Sequence, residues 1–359
     1  MFSQVSQLLL TLPSGDPTKG DIYYNNENVH LAVCNVALHL SRSGKYREAE
    51  SVVKFAAAQY SHFQQHSQLW KLTDLLVTFY RTLWMGQWDR AELIVSQLAV
   101  FNINESLIKR AQLLLCKGDT CNGKNILDSL EKNLQSTESN SRSNGNRMSN
   151  FGWEMGQSLR LWVQVLMLRS VLLCLRHNYA EALEYISRGL EICKKHHMTL
   201  QLALVSLQSA EIQVSVFKTT SFVLVNNLRF YFQLHMNLTK NALEVVQKNI
   251  NTIYTHGSMF EQGLATYLKA RCLLAVAKTN PMENKTQKAD ILPILDRSKK
   301  IFEEIEAFYH VKDVVFLKAL LYHNLGYEKE RNTQAMYFRQ LDEQYPVKTL
   351  NDILVFISL

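Results

Sequence analysis

Apolar residues in this chain recur at the spacing of a helix rather than a strand. In residues 29–60, Val33, Val36, Ala37 and Leu40 stand at i, i+3, i+4 and i+7, and Ala49, Val52, Val53 and Ala56 repeat that spacing after a short break. Each set places its apolar side chains on one helical face. The break reads Gly44-Lys45-Tyr46-Arg47-Glu48-Ala49. The same arrangement returns as Gly86-Gln87-Trp88-Asp89-Arg90-Ala91 and as His177-Asn178-Tyr179-Ala180-Glu181-Ala182. A turn residue is followed two positions on by an aromatic, and three after that by alanine. This predicts a helical hairpin at each occurrence. The small or polar residue makes the corner, the aromatic plugs the crevice between the helices, and the alanine lets their backbones approach.

Hairpins recurring every 30 to 45 residues or so resemble the tetratricopeptide repeat. With Gly44 at position 15 of a unit of about 34 residues, Ala37, Ala49 and Ala56 fall at positions 8, 20 and 27, where that repeat takes small residues. The second unit (72–101) keeps Gly86, Trp88 and Ala91 but has Phe79 at position 8. The third (105–134) has Ala111 at 8, Gly118 at 15 and Gly123 at 20. The fourth (161–196) sets Leu166, Leu173, Tyr179, Ala182 and Gly189 in register. The fifth starts at Leu200, with Ala210 at position 8 and Ala242 expected at 20. The sixth opens with the helix of Gly263 and Ala270, breaks at Thr279-Asn280-Pro281, and closes with a helix over 289–307. The seventh (311–345) has Ala319 at 8, Tyr322 at 11 and Gly326 at 15. The expected fold is an all-α, right-handed superhelical solenoid of tetratricopeptide-like hairpins. Each unit packs mainly on the next, and the first and last stand apart.

Other segments frame the units. Residues 1–28 read as a partly disordered N-terminal remnant, 29–134 hold units one to three, 153–345 hold units four to seven, and 346–359 form a C-terminal tail. Residues 135–152 are rich in serine and asparagine and carry no apolar period, which predicts a disordered loop. Inside the fifth unit the distance from Ala210 to Ala242 is 242 − 210 = 32 residues, 20 more than the register asks. The excess is residues 214–233, a run rich in Phe, Val and Tyr. Its ends, Val-Ser and Phe-Tyr-Phe-Gln, are encodable by a splice donor and by a pyrimidine tract with an acceptor. It is expected to be a retained intron, translated in frame, that bulges from or extends the corner of the fifth hairpin; a genuine loop insertion, which loops tolerate at such lengths, is the alternative.

Composition narrows the function. Net charge is +7, spread along the chain as in Lys194-Lys195 and Lys299-Lys300 rather than gathered into a stripe, and no nucleic-acid partner is expected. Most of the six cysteines sit inside apolar helical patterns without a paired framework, as in a reducing compartment. The start lacks a signal peptide, and no run of about 18 apolar residues free of charge suggests a membrane partner. Cys193, His196 and His197 have a spacing that could hold zinc, but no second pair completes four ligands. Phosphate-loop and nucleophile-elbow motifs are absent, so no catalytic residue, metal, cofactor or small-molecule substrate is expected. A Lys/Asn clamp for acidic peptides would use positions 5 and 9. The first unit has Cys34 and Leu38 there and the fourth has Met167 and Val171, so any groove should be apolar and suit a protein surface.

Further runs carry a narrower resemblance. They are Lys312-Asp313-Val314-Val315-Phe316, the stretch of Ala319, Tyr322, His323 and Gly326, Glu330-Arg331-Asn332, and the stretch from Ala335 and Met336 through Phe338-Arg339-Gln340-Leu341. Ala210-Glu211-Ile212-Gln213 and the stretch of Gly263 and Cys272 add to them. In these the chain resembles the subunit-five family of the anaphase-promoting complex, or cyclosome, densely over about 200–341 and more thinly before. The resemblance implies a non-catalytic platform in a multi-subunit ubiquitin ligase of mitosis, whose partners are the other subunits, in nucleus and cytoplasm. It also implies a further helical region upstream, which this chain starts too late to include. A repeat adaptor outside that complex is the alternative.

Overall fold

The structure, a computed structural model, describes residues 27–59, 64–143, 151–223, 228–279 and 289–346. Among the described residues are fourteen helices and no strand. They pair as seven hairpins: α1 (Glu27–Arg42) with α2 (Tyr46–Gln59), α3 (Gln64–Trp84) with α4 (Trp88–Phe101), and α5 (Ile103–Cys116) with α6 (Thr120–Ser143). Next come α7 (Phe151–Leu175) with α8 (Tyr179–Lys195), and α9 (Thr199–Val223) with α10 (Leu228–His256). The array closes with α11 (Met259–Thr279) and α12 (Leu292–Glu304), then α13 (Phe308–Leu325) and α14 (Glu328–Gln344). Every helix packs on its chain neighbours, and the leading helices also meet along α1–α3, α5–α7, α7–α9 and α9–α11. This is the expected all-α stack of hairpins.

One corner geometry recurs, and it explains the turn residue. At the first corner Lys45 N–H donates to Leu40 O at 2.9 Å and Gly44 N–H to Ser41 O at 3.0 Å. That pair of bonds needs a left-handed residue between the helices. Gly44 supplies it with φ +77°. His177 meets the same demand with φ 60° despite carrying a Cβ, and its Nδ1 lies 3.2 Å from the Tyr179 hydroxyl.

The register residues lie as follows. Ala37, Ala49, Ala91, Ala111, Ala182, Ala210, Ala242 and Ala270 are fully buried, and Ala56 nearly so. Gly189 is buried with its Cα edge toward Val205 of the next hairpin. Gly86 and Gly326 are left-handed corners, Trp88 is buried, and Tyr179 and Tyr322 are half-buried. Ala319 departs from the set: it is only half-buried, because no further helix among the described residues stacks on the seventh hairpin.

Four expectations change. Residues 135–143 are not loop but the last turns of α6, and α7 begins at Phe151. Leu127, Leu130 and Leu134 anchor α6, and once a helix is nucleated each added residue gains a hydrogen bond. The rest of that expected loop lies mostly outside the described residues. Second, α7 does contain an 18-residue stretch, Ser158–Leu175, long and apolar enough to cross a membrane. However, 61% of it is buried in the protein, and its Arg169 pairs with Asp128 and, at 2.8 Å, with Glu131 of α6, as in a core helix. Third, units do not pack only on the next: the first hairpin meets the sixth and the second meets the seventh, as described below. Fourth, Cys34, Leu38, Met167 and Val171, expected to line an open apolar groove, are buried within the chain itself.

The fifth hairpin has the longest helix, α10, at 29 residues, against 25 for α9. Residues 214–223 end α9 and residues 228–233 begin α10, lengthening both arms, while Ala210 and Ala242 remain buried. A corner insertion moves the corner outward and leaves positions below it level.

Candidate functional site

Seven hairpins turn far enough that the first meets the sixth. The closing contacts form a seam, and beside it lies a cleft. At the seam Tyr46 Oη donates to the carbonyl of Ile305 at 2.8 Å, across 259 residues. The approach is backbone to backbone: a Cβ on Gly44 would stand 2.8 Å from the Cα of Ile305. Tyr46 therefore does more than fill its own hairpin. Burial, with Glu306 nearby, holds its phenol well above the usual tyrosine range.

Charge and aromatic contacts extend the seam inward. Arg42, at the end of α1, forms a buried ion pair with Glu261 of α11. Glu261 also accepts from Ser258 N–H at 2.7 Å, so one carboxylate caps α11 and holds α1. The Arg42 guanidinium lies 5.3 Å from the Tyr80 ring centre and 5.5 Å from that of Phe260. Trp84 stacks on Phe260 with centroids 4.3 Å apart, and Trp88 meets Tyr309 edge-on at 6.1 Å. On the outer side Arg81 pairs with Glu306 at 3.3 Å, both partly exposed. Losing one partner of the buried pair would strand a charge in the interior, so this part of the seam is all-or-none.

The cleft beside these contacts is lined mainly by Trp84, Trp88, Gln112, Phe260, Tyr309 and His310. Such a lining can hold apolar groups; it also includes the thiol of Cys116, which burial pushes up to about 12 and so keeps protonated near neutrality. Among the described residues no group of three His, Cys, Asp or Glu could hold a metal ion. Cys193 is buried whereas His197 is an exposed left-handed corner residue, so the Cys193, His196 and His197 spacing does not assemble. Burial pushes the thiols of Cys34, Cys174 and Cys272 up to about 12, and that of Cys193 to about 11. They stay protonated near neutrality and act as small core groups. Lys299 and Lys300 pair with Glu303 and Glu304 one turn on, so this basic pair is partly neutralised.

Sequence reasoning missed Arg42, Glu261, Phe260 and Ile305.

Comparison with known proteins gives one consistent answer. No protein-family model matches the chain. Curated relatives named anaphase-promoting complex subunit 5 align over 348 residues, 96% of this chain, at 26% identity in Homo sapiens and Pongo abelii and 24% in Mus musculus. The resemblance to that subunit extends across nearly the whole chain, beyond the runs that first suggested it. The chain spans about two fifths of the length of these relatives (41% of the human protein). Among solved structures, a Rap protein complexed with competence and sporulation factor covers 89% of this chain and 100% of its own. Its identity is 12% and its TM-score 0.39, too low to carry an argument.

Proposed function

We propose that this chain, a relative of anaphase-promoting complex subunit 5, is a non-catalytic scaffold within that cell-cycle ubiquitin ligase, holding other subunits on its helical-repeat surface. The observation that carries the reading is the alignment over 96% of the chain to relatives with a single name. The architecture supports it. A stack of hairpins transmits position from unit to unit, and closure by Arg42–Glu261 and Tyr46–Ile305 removes the spring-like freedom of an open array. A rigid body of this kind suits holding partners at fixed geometry rather than bond chemistry. Its partners are the other ligase subunits, and its place is the nucleus and cytoplasm, where such a complex works.

Reconstitution tests the reading. Ligase assembled without the chain should form poorly and transfer ubiquitin slowly, the isolated chain should transfer none, and adding it back should restore both. A complex that assembles and works at full rate without it would contradict the proposal.

A further inference from the structure

The cleft beside the seam has a more specific chemistry than a general apolar surface. Its walls come from five of the seven hairpins: Trp84 and Trp88 from the second, Gln112 from the third, Leu175 from the fourth, Phe260 from the sixth and Tyr309 from the seventh. Counting its open mouth, it holds about 600 Å³. That lies inside the range of about 300–1,000 Å³ common for small-ligand sites.

Three features define what fits. No Asp, Glu, Lys or Arg is among the described residues that line the cleft, so an entering ion would give up water without gaining an opposite charge. Aromatic rings make up much of the wall, which favours a planar ring that can stack on them or meet them edge-on. Gln112 supplies a directional handle. It is only 9% exposed, and its Oε1 makes no hydrogen bond to any described residue. Buried amide oxygens nearly always have a donor, so an unpaired one at a cleft wall marks a place for one.

We propose that the cleft is a binding site for a small, neutral, planar aromatic molecule whose ring N–H or O–H donates to Gln112 Oε1. Such an occupant touches the second, third and fourth hairpins on one side and the sixth and seventh on the other, so it braces the closed ring. The site needs only the folded chain and does not depend on the scaffold role.

Calorimetric titration of the full chain tests this, with indole as the probe. Indene has the same shape but carries a methylene in place of the N–H. Indole should bind saturably and about tenfold more tightly than indene, the difference that one hydrogen bond makes. In Gln112→Met, which keeps the length and removes the acceptor, the two should bind alike. Leu175→Trp, at the half-buried end of α7, should fill the cleft and abolish indole binding. N-Acetyltryptophanamide separates a free ligand from a partner's side chain, because it carries peptide groups on the same ring. The recess should take it far more weakly than indole. The proposal is overturned by absent indole binding, by equal affinity for indole and indene, or by N-acetyltryptophanamide binding as well as indole. A preference that survives Gln112→Met, or unchanged affinity in Leu175→Trp, overturns it too. The wild-type comparisons decide the matter even where a variant fails to fold.

Discussion

The hydroxyl of Tyr46 donates to the backbone carbonyl of Ile305 at 2.8 Å, joining the corner of the first hairpin to the end of the sixth. A carbonyl accepts there because the corner backbone comes so close, and Gly44, with φ +77° and no Cβ, permits that approach. Two substitutions separate the effects. Tyr46→Phe should cost about 1 kcal/mol through one lost hydrogen bond. Gly44→Ala should cost more, about 2 kcal/mol or above, adding left-handed strain to a backbone clash. Urea denaturation of both variants checks the order.

The alanine register makes a second contrast. Ala49 is fully buried at a crossing, whereas Ala319 is half-buried. Ala49→Leu should cost about 1–3 kcal/mol by overpacking. Ala319→Leu should cost clearly less. Equal melting midpoints for the two would count against the assigned register.

Acid should loosen the seam. Burial depresses the imidazole of His39, in the last turn of α1, below the ordinary 6.5, with Arg42 adding to the effect and Glu261 opposing it. The unfolded chain then takes up this proton more readily than the folded one. Stability is therefore full above about pH 6.5 and falls as pH drops below that value toward the depressed pKa. Chemical denaturation of wild type and His39→Gln at pH 7.5 and 5.5 should show a smaller acid loss for the variant. An identical loss would place the acid sensitivity elsewhere.

We propose that residues 214–233 are a translated retained intron rather than part of the working fold. Ala210 and Ala242 both stay buried with the segment in place, so removing it should restore a twelve-residue spacing between two core positions. The deletion variant should fold with a melting temperature at or above that of the full chain. Unfolding on deletion, or transcript reads in which the segment dominates, would refute this.

What the sequence revealed and what it hid divide along a physical line. Ala37, Ala49 and Ala56 could be placed because a helix has a fixed period and a hairpin a fixed corner, so local spacing determines which residues meet. The seam could not be placed that way. Arg42 and Glu261 are brought together by small rotations summed over four intervening hairpins, a quantity that no local window contains. The helical run of 135–143 was hidden for a different reason. It continues a helix nucleated earlier, where its own composition argues for loop.

The scaffold role is tested most directly by what accompanies the chain in the cell. A tagged copy at native level, purified under mild conditions from dividing cells and analysed by quantitative mass spectrometry, should bring down the other subunits of the anaphase-promoting complex in near-stoichiometric amounts. A purification that recovers the chain intact and folded but none of those subunits would contradict the account.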